Sequence, residues 1–114
     1  MAQRPGPEPP GPDEVLERLD AIDRLLEHRV RLAIAVLLSR YDRLSFSRLK
    51  ELTGETDGSL GAHLRRLEDA AYVAVRKEFV DRKPVSWYRL TVAGRKALTA
   101  HLEALAGLIG ETET

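Results

Sequence analysis

Residues Thr56–Val75 read TDGSLGAHLRRLEDAAYVAV, a helical pattern that continues into a strand-like one. Apolar side chains recur at the spacing of a single helix face, at Leu60, Leu64, Leu67 and Ala71. Thr56 or Asp57 is a suitable N-cap for this helix. Its first turns nevertheless contain Gly58 and Gly61, and glycine is among the poorest helix formers. The sequence therefore predicts a helix with a nearly bare outer face, which a large partner could approach closely.

The outer face of the predicted helix changes character along its length. At 100° per residue, the positions opposite the leucines are Gly58, Ser59, Ala62, Arg65, Arg66 and Asp69. Small residues occupy the first turns and two arginines follow them. Arg65 and Arg66 could also be ordinary solvated charges that pair with Glu68 or Asp69.

The segments on either side of this helix predict a short helix and a β-hairpin. RLSFSRLKELTGE is typical of a helix that is capped by Ser45 or Ser47 and ended by Gly54. Its Leu49 and Leu52 are expected to point inward. On the other side, YVAVRKEFV and VSWYRLTV are rich in β-branched and aromatic residues. The segment DRKP separates them, which predicts a hairpin over residues 80–85 with Arg82 and Lys83 at its tip.

The two ends of the ordered region each carry an apolar stripe. PDEVLERLDAIDRLLEH predicts a helix that begins near Asp13, and TVAGRKALTAHLEALAGLIG predicts a last helix. The two stripes consist of Val15, Leu19, Ile22 and Leu26, and of Leu98, Leu102, Leu105 and Ile109. Between them RVRLAIAVLLSRY is apolar almost all round, as in a buried central helix. Because each stripe covers only about two heptads, too few for a free coiled coil, it needs a partner surface. This favours a homodimer with both terminal helices at the interface.

The order helix, helix, glycine-containing turn, helix and basic hairpin is that of a winged helix-turn-helix. The predicted fold class is mainly α with a small β-hairpin, and dimerisation helices lie at both ends. The domain is expected over residues 13–110. Five of the six prolines fall in residues 1–12, which predicts a disordered tail, and residues 111–114 are expected to be a disordered C-terminus.

The motifs LKELTG, TDGSLGAHLRRLEDAAYV, EFVDRKP and YRLTVAGR together resemble the small bacterial and archaeal winged-helix regulators related to the MarR and ArsR groups. The resemblance runs from about Leu26 to Leu105. It implies a dimeric transcription regulator that recognises double-stranded DNA through the helix Thr56–Ala70. Where such proteins commonly have glycine, this chain has Ala71 before the first wing strand and Asp81 in the wing. Where they often have a polar residue in the recognition helix, it has Gly61.

These observations give the expected DNA-contacting residues. A recognition helix lies in the major groove with its N-terminal end near base edges, so small residues there allow close approach. The expected contacts come from the helix and the hairpin tip: Thr56, Asp57, Gly58, Ser59, Gly61, Ala62, Arg65, Arg66, Arg82 and Lys83. His63 is expected to be packed or hydrogen-bonded. Trp87 is expected to pack, with lining of an effector cleft as the alternative, and Tyr88 is expected to pack in the core.

Composition sets limits on other functions. Eighteen basic and 18 acidic residues give zero net charge, although residues 64–90 hold seven basic and four acidic ones, a local excess of three positive charges. The absence of cysteine excludes disulfides and thiolate metal sites and fits a cytoplasmic protein. No apolar run approaches the roughly 18 residues of a membrane span.

No nucleophile–base pair or phosphate-binding glycine loop indicates an enzyme, and no cofactor or metal is expected. Metal sensing through His28 and His101 is disfavoured, because a zinc site needs about three or four close ligands. A small-molecule effector is not specified by any motif. The alternative function is a winged-helix module for protein–protein interaction, with weak or no DNA binding.

Overall fold

The computed structural model describes residues 8–110, and the outermost parts of the two predicted tails, residues 1–7 and 111–114, lie outside the described residues. Residues 8–11 contain neither helix nor strand. The elements follow in the order α1 (Val15–Asp20), α2 (Arg24–Glu27), α3 (Arg29–Arg40), β1 (Leu44–Ser45), α4 (Phe46–Thr53), α5 (Asp57–Asp69), β2 (Val73–Val80), β3 (Lys83–Leu90) and α6 (Val92–Ile109). The predicted winged helix-turn-helix with a small antiparallel sheet is confirmed.

The N-terminal stripe is divided between two helices. Glu14 occupies the N-cap of α1 without a side-chain hydrogen bond, so the expected cap at Asp13 is wrong. α1 stops at Asp20 because Asp23 starts a new helix, its carboxylate accepting a 2.9 Å hydrogen bond from the amide of Leu25. The other carboxylate oxygen accepts a 2.5 Å hydrogen bond from the Tyr72 hydroxyl. This hydrogen bond, together with burial, raises the pKa of Tyr72 to about 12.

The core forms around the central helix α3. Leu26, Ile34 and Leu38 are fully buried there and meet leucines from α4 and α5. Leu49 is the buried leucine of α4, whereas the expectation that Leu52 also points inward is wrong. Leu52 is 42% exposed because it is displaced from Leu49 around the helix and lines a surface cleft with Val30 and Ala33.

The helices of the helix-turn-helix begin and end at residues that the sequence predicts. Ser45 caps α4 by accepting from the amide of Arg48 at 3.1 Å. Gly54 ends α4 with a φ of 72°, a left-handed conformation that suits glycine. Thr56 caps α5, and Leu60, Leu64 and Leu67 of α5 are buried.

The sheet contains one strand that the sequence did not predict. Its order is β1–β3–β2, with both pairings antiparallel. The two-residue β1 places Leu44 opposite Tyr88. In the hairpin, Val80 pairs with Lys83, so the turn consists of Asp81 and Arg82 rather than all of DRKP. Their φ angles of 52° and 67° are those of the two-residue turns that match the twist of paired strands.

A tight joint connects the end of α5 to the start of α6. Ala71 has a φ of 62°, and the amides of Ala71 and Tyr72 bond back to the carbonyls of Glu68 and Leu67 at 2.8 and 2.9 Å. This is the hydrogen-bond pattern of a helix end that usually employs glycine. The Thr91 hydroxyl donates to the carbonyl of Ala71 at 2.6 Å, and the Thr91 amide donates to the carbonyl of Tyr72 at 3.0 Å.

Among the described helices, none has the length and apolar content of a membrane span.

Candidate nucleic-acid interface

The outer face of α5 is open because the surrounding chain does not use it. A Cβ atom added at Gly58 or at Gly61 would have no heavy atom within 4 Å beyond its own helix and chain neighbours. Glycine costs a helix interior about 1 kcal/mol relative to alanine. The fold therefore gains no packing from these two glycines, and their bare backbone is free for a partner to approach.

The polar residues at the N-terminus of α5 are already engaged within the chain. The Thr56 hydroxyl accepts from the amide of Ser59 at 3.2 Å, and the Ser59 hydroxyl donates to Glu55 at 2.7 Å. Asp57 forms a 2.8 Å ion pair with Lys50 of α4. These contacts fix the entry into α5, so we expect Thr56, Asp57 and Ser59 mainly to hold the helix end in place.

Arg65 and Arg66 are exposed and available on the same face. Within residues 8–110, neither guanidinium forms an ion pair, so the predicted alternative of pairing with Glu68 or Asp69 is not realised. Both arginines line a surface cleft with Gly58, Gly61 and Ala62. The predicted bare stretch and the predicted cations are therefore brought together on one surface.

A second cleft separates α5 from the wing and contains a cation that was not among the predicted site residues. Lys77 of β2 lines this cleft together with Gly61 and Arg65 of α5 and Tyr88 of β3. Side chains alternate across a strand, so Lys77 lies on the face of Val75, the residue opposite Tyr88. The signal was present in the sequence as the two-residue spacing from Val75 to Lys77.

The other arginines of the wing lie on the opposite sheet face or at the tip. Arg43 sits 4.1 Å from the ring centroid of Trp87 and pairs with Glu78 at 3.4 Å, and Arg76 approaches the same carboxylate at 3.6 Å. Trp87 is therefore packed under Arg43, as expected. Arg82 and Lys83 are exposed at the turn and at the first position of β3.

Comparison with known proteins shows the family to which this fold belongs. The model of a family described as a winged helix DNA-binding domain matches residues 30–109. The chain belongs to this winged-helix family. The expected winged-helix DNA-binding family is confirmed, and solved structures of a MarR family and an ArsR family transcriptional regulator share its fold at 23% and 24% identity.

The chain resembles one curated protein by sequence and several solved structures by fold. An uncharacterized protein of Methanocaldococcus jannaschii is 32% identical over 73 residues, which are 64% of this chain and 79% of that protein. A transcriptional regulator homologue from Pyrococcus horikoshii is 28% identical with a TM-score of 0.75, covering 85% of this chain and 94% of the other. A MarR family transcriptional regulator from Streptomyces coelicolor, solved in complex with DNA, shares the fold at 23% identity and a TM-score of 0.56, covering 85% and 70% of the two chains.

The terminal helices of this winged-helix chain pack on each other and leave part of their apolar surface uncovered. Ile22, Leu26 and Leu98 do not belong to a partner surface, because all three are buried inside their own chain. The exposed members of the two stripes are Val15, Leu19, Leu102, Leu105 and Ile109. Leu16, which the stripe omitted, is 74% exposed.

The predicted hydrogen-bonded state of His63 is confirmed, and the bond links the recognition helix to the core. Arg31 of α3 lies 3.1 Å from Nδ1 of His63 and also donates from Nε to the carbonyl of Leu25 at 2.6 Å. The ring of His28 lies 4.3 Å from that of His63. Burial lowers the pKa of His63 and is the largest effect. The charges of His28, Arg31 and Arg66 also lower this pKa, whereas the charge of Glu55 raises it.

This lowered pKa predicts that the protein loses stability as the pH falls below about 6.5, the ordinary value for histidine. The folded state binds a proton at His63 less readily than the unfolded state does, so stability is complete above that pH and decreases towards the folded pKa. The measurement is urea unfolding at closely spaced pH values between 7.5 and 5.5. His63→Gln, which keeps an acceptor for Arg31 but does not titrate, should show a smaller decrease. Equal decreases in the two proteins would contradict the role of His63.

Proposed function

We propose that the protein is a homodimeric regulator that reads a palindromic operator, with α5 in the major groove and the wing on the DNA backbone. The observation that carries this proposal is the outer face of α5, where bare backbone at Gly58 and Gly61 adjoins Arg65 and Arg66. A major groove about 12 Å wide admits one helix, and a helix without bulky side chains enters it most deeply. The guanidinium groups then reach a guanine edge or a phosphate.

The cleft between α5 and the wing supports the same orientation. Lys77 faces α5 across this cleft, while Arg82 and Lys83 extend further at the end of the hairpin. Cations are thus placed along the wing side of the bare helix face, where one of the DNA strands that border a groove would lie. The fold relative from Streptomyces coelicolor was solved in complex with DNA, which adds support at the level of the fold.

The uncovered apolar side chains of α1 and α6 support the homodimer. Leu16 and Ile109 are 74% and 75% exposed, and Leu19, Leu102 and Leu105 are exposed beside them. Burying them between two copies would remove this surface from water, at about 25 cal/mol per Å² of apolar area. Reading two half-sites one DNA turn apart requires a two-fold axis that places the two α5 helices about 34 Å apart.

Binding-site selection from a random duplex library, followed by footprinting of the selected sequence, tests this proposal. The expected footprint is two-fold symmetric, with half-site centres about 10 base pairs apart. Protection of one asymmetric half-site would remove the dimer from the proposal. Absence of any selected sequence at near-physiological salt would instead favour the protein-interaction module.

Arg66→Ala is expected to weaken binding to the selected sequence by about 1–3 kcal/mol if Arg66 reads a base. The loss should be smaller on a scrambled duplex, because base contacts are specific to the sequence. Fluorescence anisotropy titrations on both duplexes measure the difference. Lys96→Ala, which removes one exposed charge from α6, is the matched control. An unchanged affinity for Arg66→Ala would remove Arg66 from the site.

A further inference from the structure

Phe79 near the tip of the wing is the most exposed large apolar side chain of the described residues, with 79% of its surface accessible. It lies directly opposite Pro84, which is also exposed, and next to Val80, which is 45% exposed. An isolated exposed apolar residue needs no explanation. Phe79 and Pro84 are cross-strand partners on one face of the hairpin and form an apolar tip there, whereas Val80 lies on the opposite face.

The direction of Phe79 is fixed by the strand register. Side chains alternate along β2, so Phe79 shares the face of Val75 and Lys77, the face that packs against α5. A rise of about 3.3 Å per residue places Phe79 roughly 7 Å beyond Lys77 along the strand. The apolar tip therefore continues the surface formed by α5 and the cleft beside it.

The charges around Phe79 identify the chemistry of what it would meet. Lys77 lies on the same face, and Arg82 and Lys83 lie at the turn. Glu78 is on the opposite face, where it pairs with Arg43 and Arg76. A partner of this surface must offer negative charge and apolar area within a few ångströms of each other. The wall of a DNA groove has this composition, because charged phosphates alternate with deoxyribose rings.

We propose that Phe79, supported by Pro84, packs against deoxyribose in the wall of a DNA groove while Lys77 and Arg82 meet the flanking phosphates. The inference rests on the DNA-binding function proposed above. It assigns the wing an apolar contribution to affinity in addition to its positive charge. Such a contact is independent of base sequence, because every nucleotide carries the same sugar.

The dependence of affinity on salt distinguishes an apolar contact from a charged one. Each phosphate neutralised by a cation releases counterions and adds about 0.9 to the slope of log affinity against log salt. Removal of an apolar contact lowers affinity without releasing or retaining counterions. Phe79→Ala should therefore shift the salt titration without changing its slope, whereas Lys77→Ala should make the slope shallower.

The test uses the full chain and a labelled mixed-sequence duplex of about 40 base pairs, close to four helical turns. Phe79→Ala is expected to weaken binding roughly three- to tenfold at each salt concentration, in line with partial burial of one aromatic side chain. Phe79→Leu should retain most of the affinity. Val92→Ala, which truncates another exposed apolar side chain at the start of α6, should leave affinity unchanged. Equal melting temperatures for the variants would confirm that each remains folded.

Four results would overturn the inference. Wild-type affinity in Phe79→Ala, with normal binding by the parent, would exclude the sugar contact and leave the DNA-binding function intact. A shallower slope for Phe79→Ala would show that the change acts through the cations. A change in sedimentation of Phe79→Ala without loss of affinity would assign the tip to self-association. If the parent protein itself binds no duplex, the proposed function fails together with the sugar contact.

Discussion

Gly94→Ala is expected to destabilise the protein by more than about 3 kcal/mol, at the upper end of the cost of overpacking. A Cβ atom at this position would lie 2.1 Å from the carbonyl oxygen of Tyr72 and 2.8 Å from Cδ1 of Leu90. The carbonyl oxygen cannot move aside freely, because it accepts the hydrogen bond from the amide of Thr91. Relief of the clash therefore requires α6 to separate from the joint that ends α5.

Gly107→Ala provides the matched control for this prediction. Gly107 lies in the same helix, but its added Cβ would meet only Nη1 of Arg18, at the ordinary contact distance of 3.7 Å. The same substitution should therefore stabilise the protein by up to about 1 kcal/mol through helix propensity. Urea unfolding followed by circular dichroism measures both values. Similar effects of the two substitutions would show that the joint at Tyr72 is not the source of the cost.

The sequence was sufficient for features that depend on local chemistry. The spacing of Leu60, Leu64 and Leu67 predicts the buried face of α5, because helix periodicity alone determines which side chains share a face. Thr56 and Gly54 likewise mark their helix ends through their own hydrogen bonds and backbone angles. The helix α5 and the strands of the wing could be located for this reason.

Features that depend on contacts between residues distant in sequence could not be predicted from local patterns. Arg31 lies in an otherwise apolar helix and meets His63, 32 residues later, so no local pattern indicates the contact. Asp23 ends the predicted N-terminal helix early because it bonds both to Leu25 and to Tyr72, 49 residues later. That break moves Ile22 into the core and leaves Leu16 at the surface.

The turn of the wing is shorter than the sequence predicts. DRKP was interpreted as a four-residue connection, whereas the turn consists of Asp81 and Arg82. Asp-Arg lacks the glycine that usually marks a two-residue turn with two positive φ angles. Once Val80 is paired with Lys83, the register places both Lys77 and Phe79 on the side of α5. The sequence-based site omitted these two residues, although the two-residue spacing of Val75, Lys77 and Phe79 already places them on one face of β2.

Gly61→Leu is expected to leave the protein folded and at least as stable as the parent, but to weaken DNA binding about 5- to 150-fold. A Cβ atom at Gly61 would have no other part of the chain within 4 Å, so the substitution causes no clash at its base, and leucine favours a helix over glycine by several tenths of a kcal/mol. On the DNA the same side chain would separate the backbone of α5 from the groove. Overpacking of a close contact costs about 1–3 kcal/mol, which corresponds to the stated loss of affinity.

Because Gly61→Leu is expected to lower DNA affinity without lowering stability, it tests whether the α5 surface is an interface. A substitution that damages the fold lowers stability and binding together, whereas a bulky group placed in an interface lowers binding alone. Gly61→Ala and Gly58→Ala should give smaller losses of affinity with stability gains of up to about 1 kcal/mol each. Gly107→Ala should stabilise the chain without affecting DNA binding. If Gly61→Leu binds the selected operator as tightly as the parent does, α5 does not enter the groove through this face, and the bare backbone must have another cause.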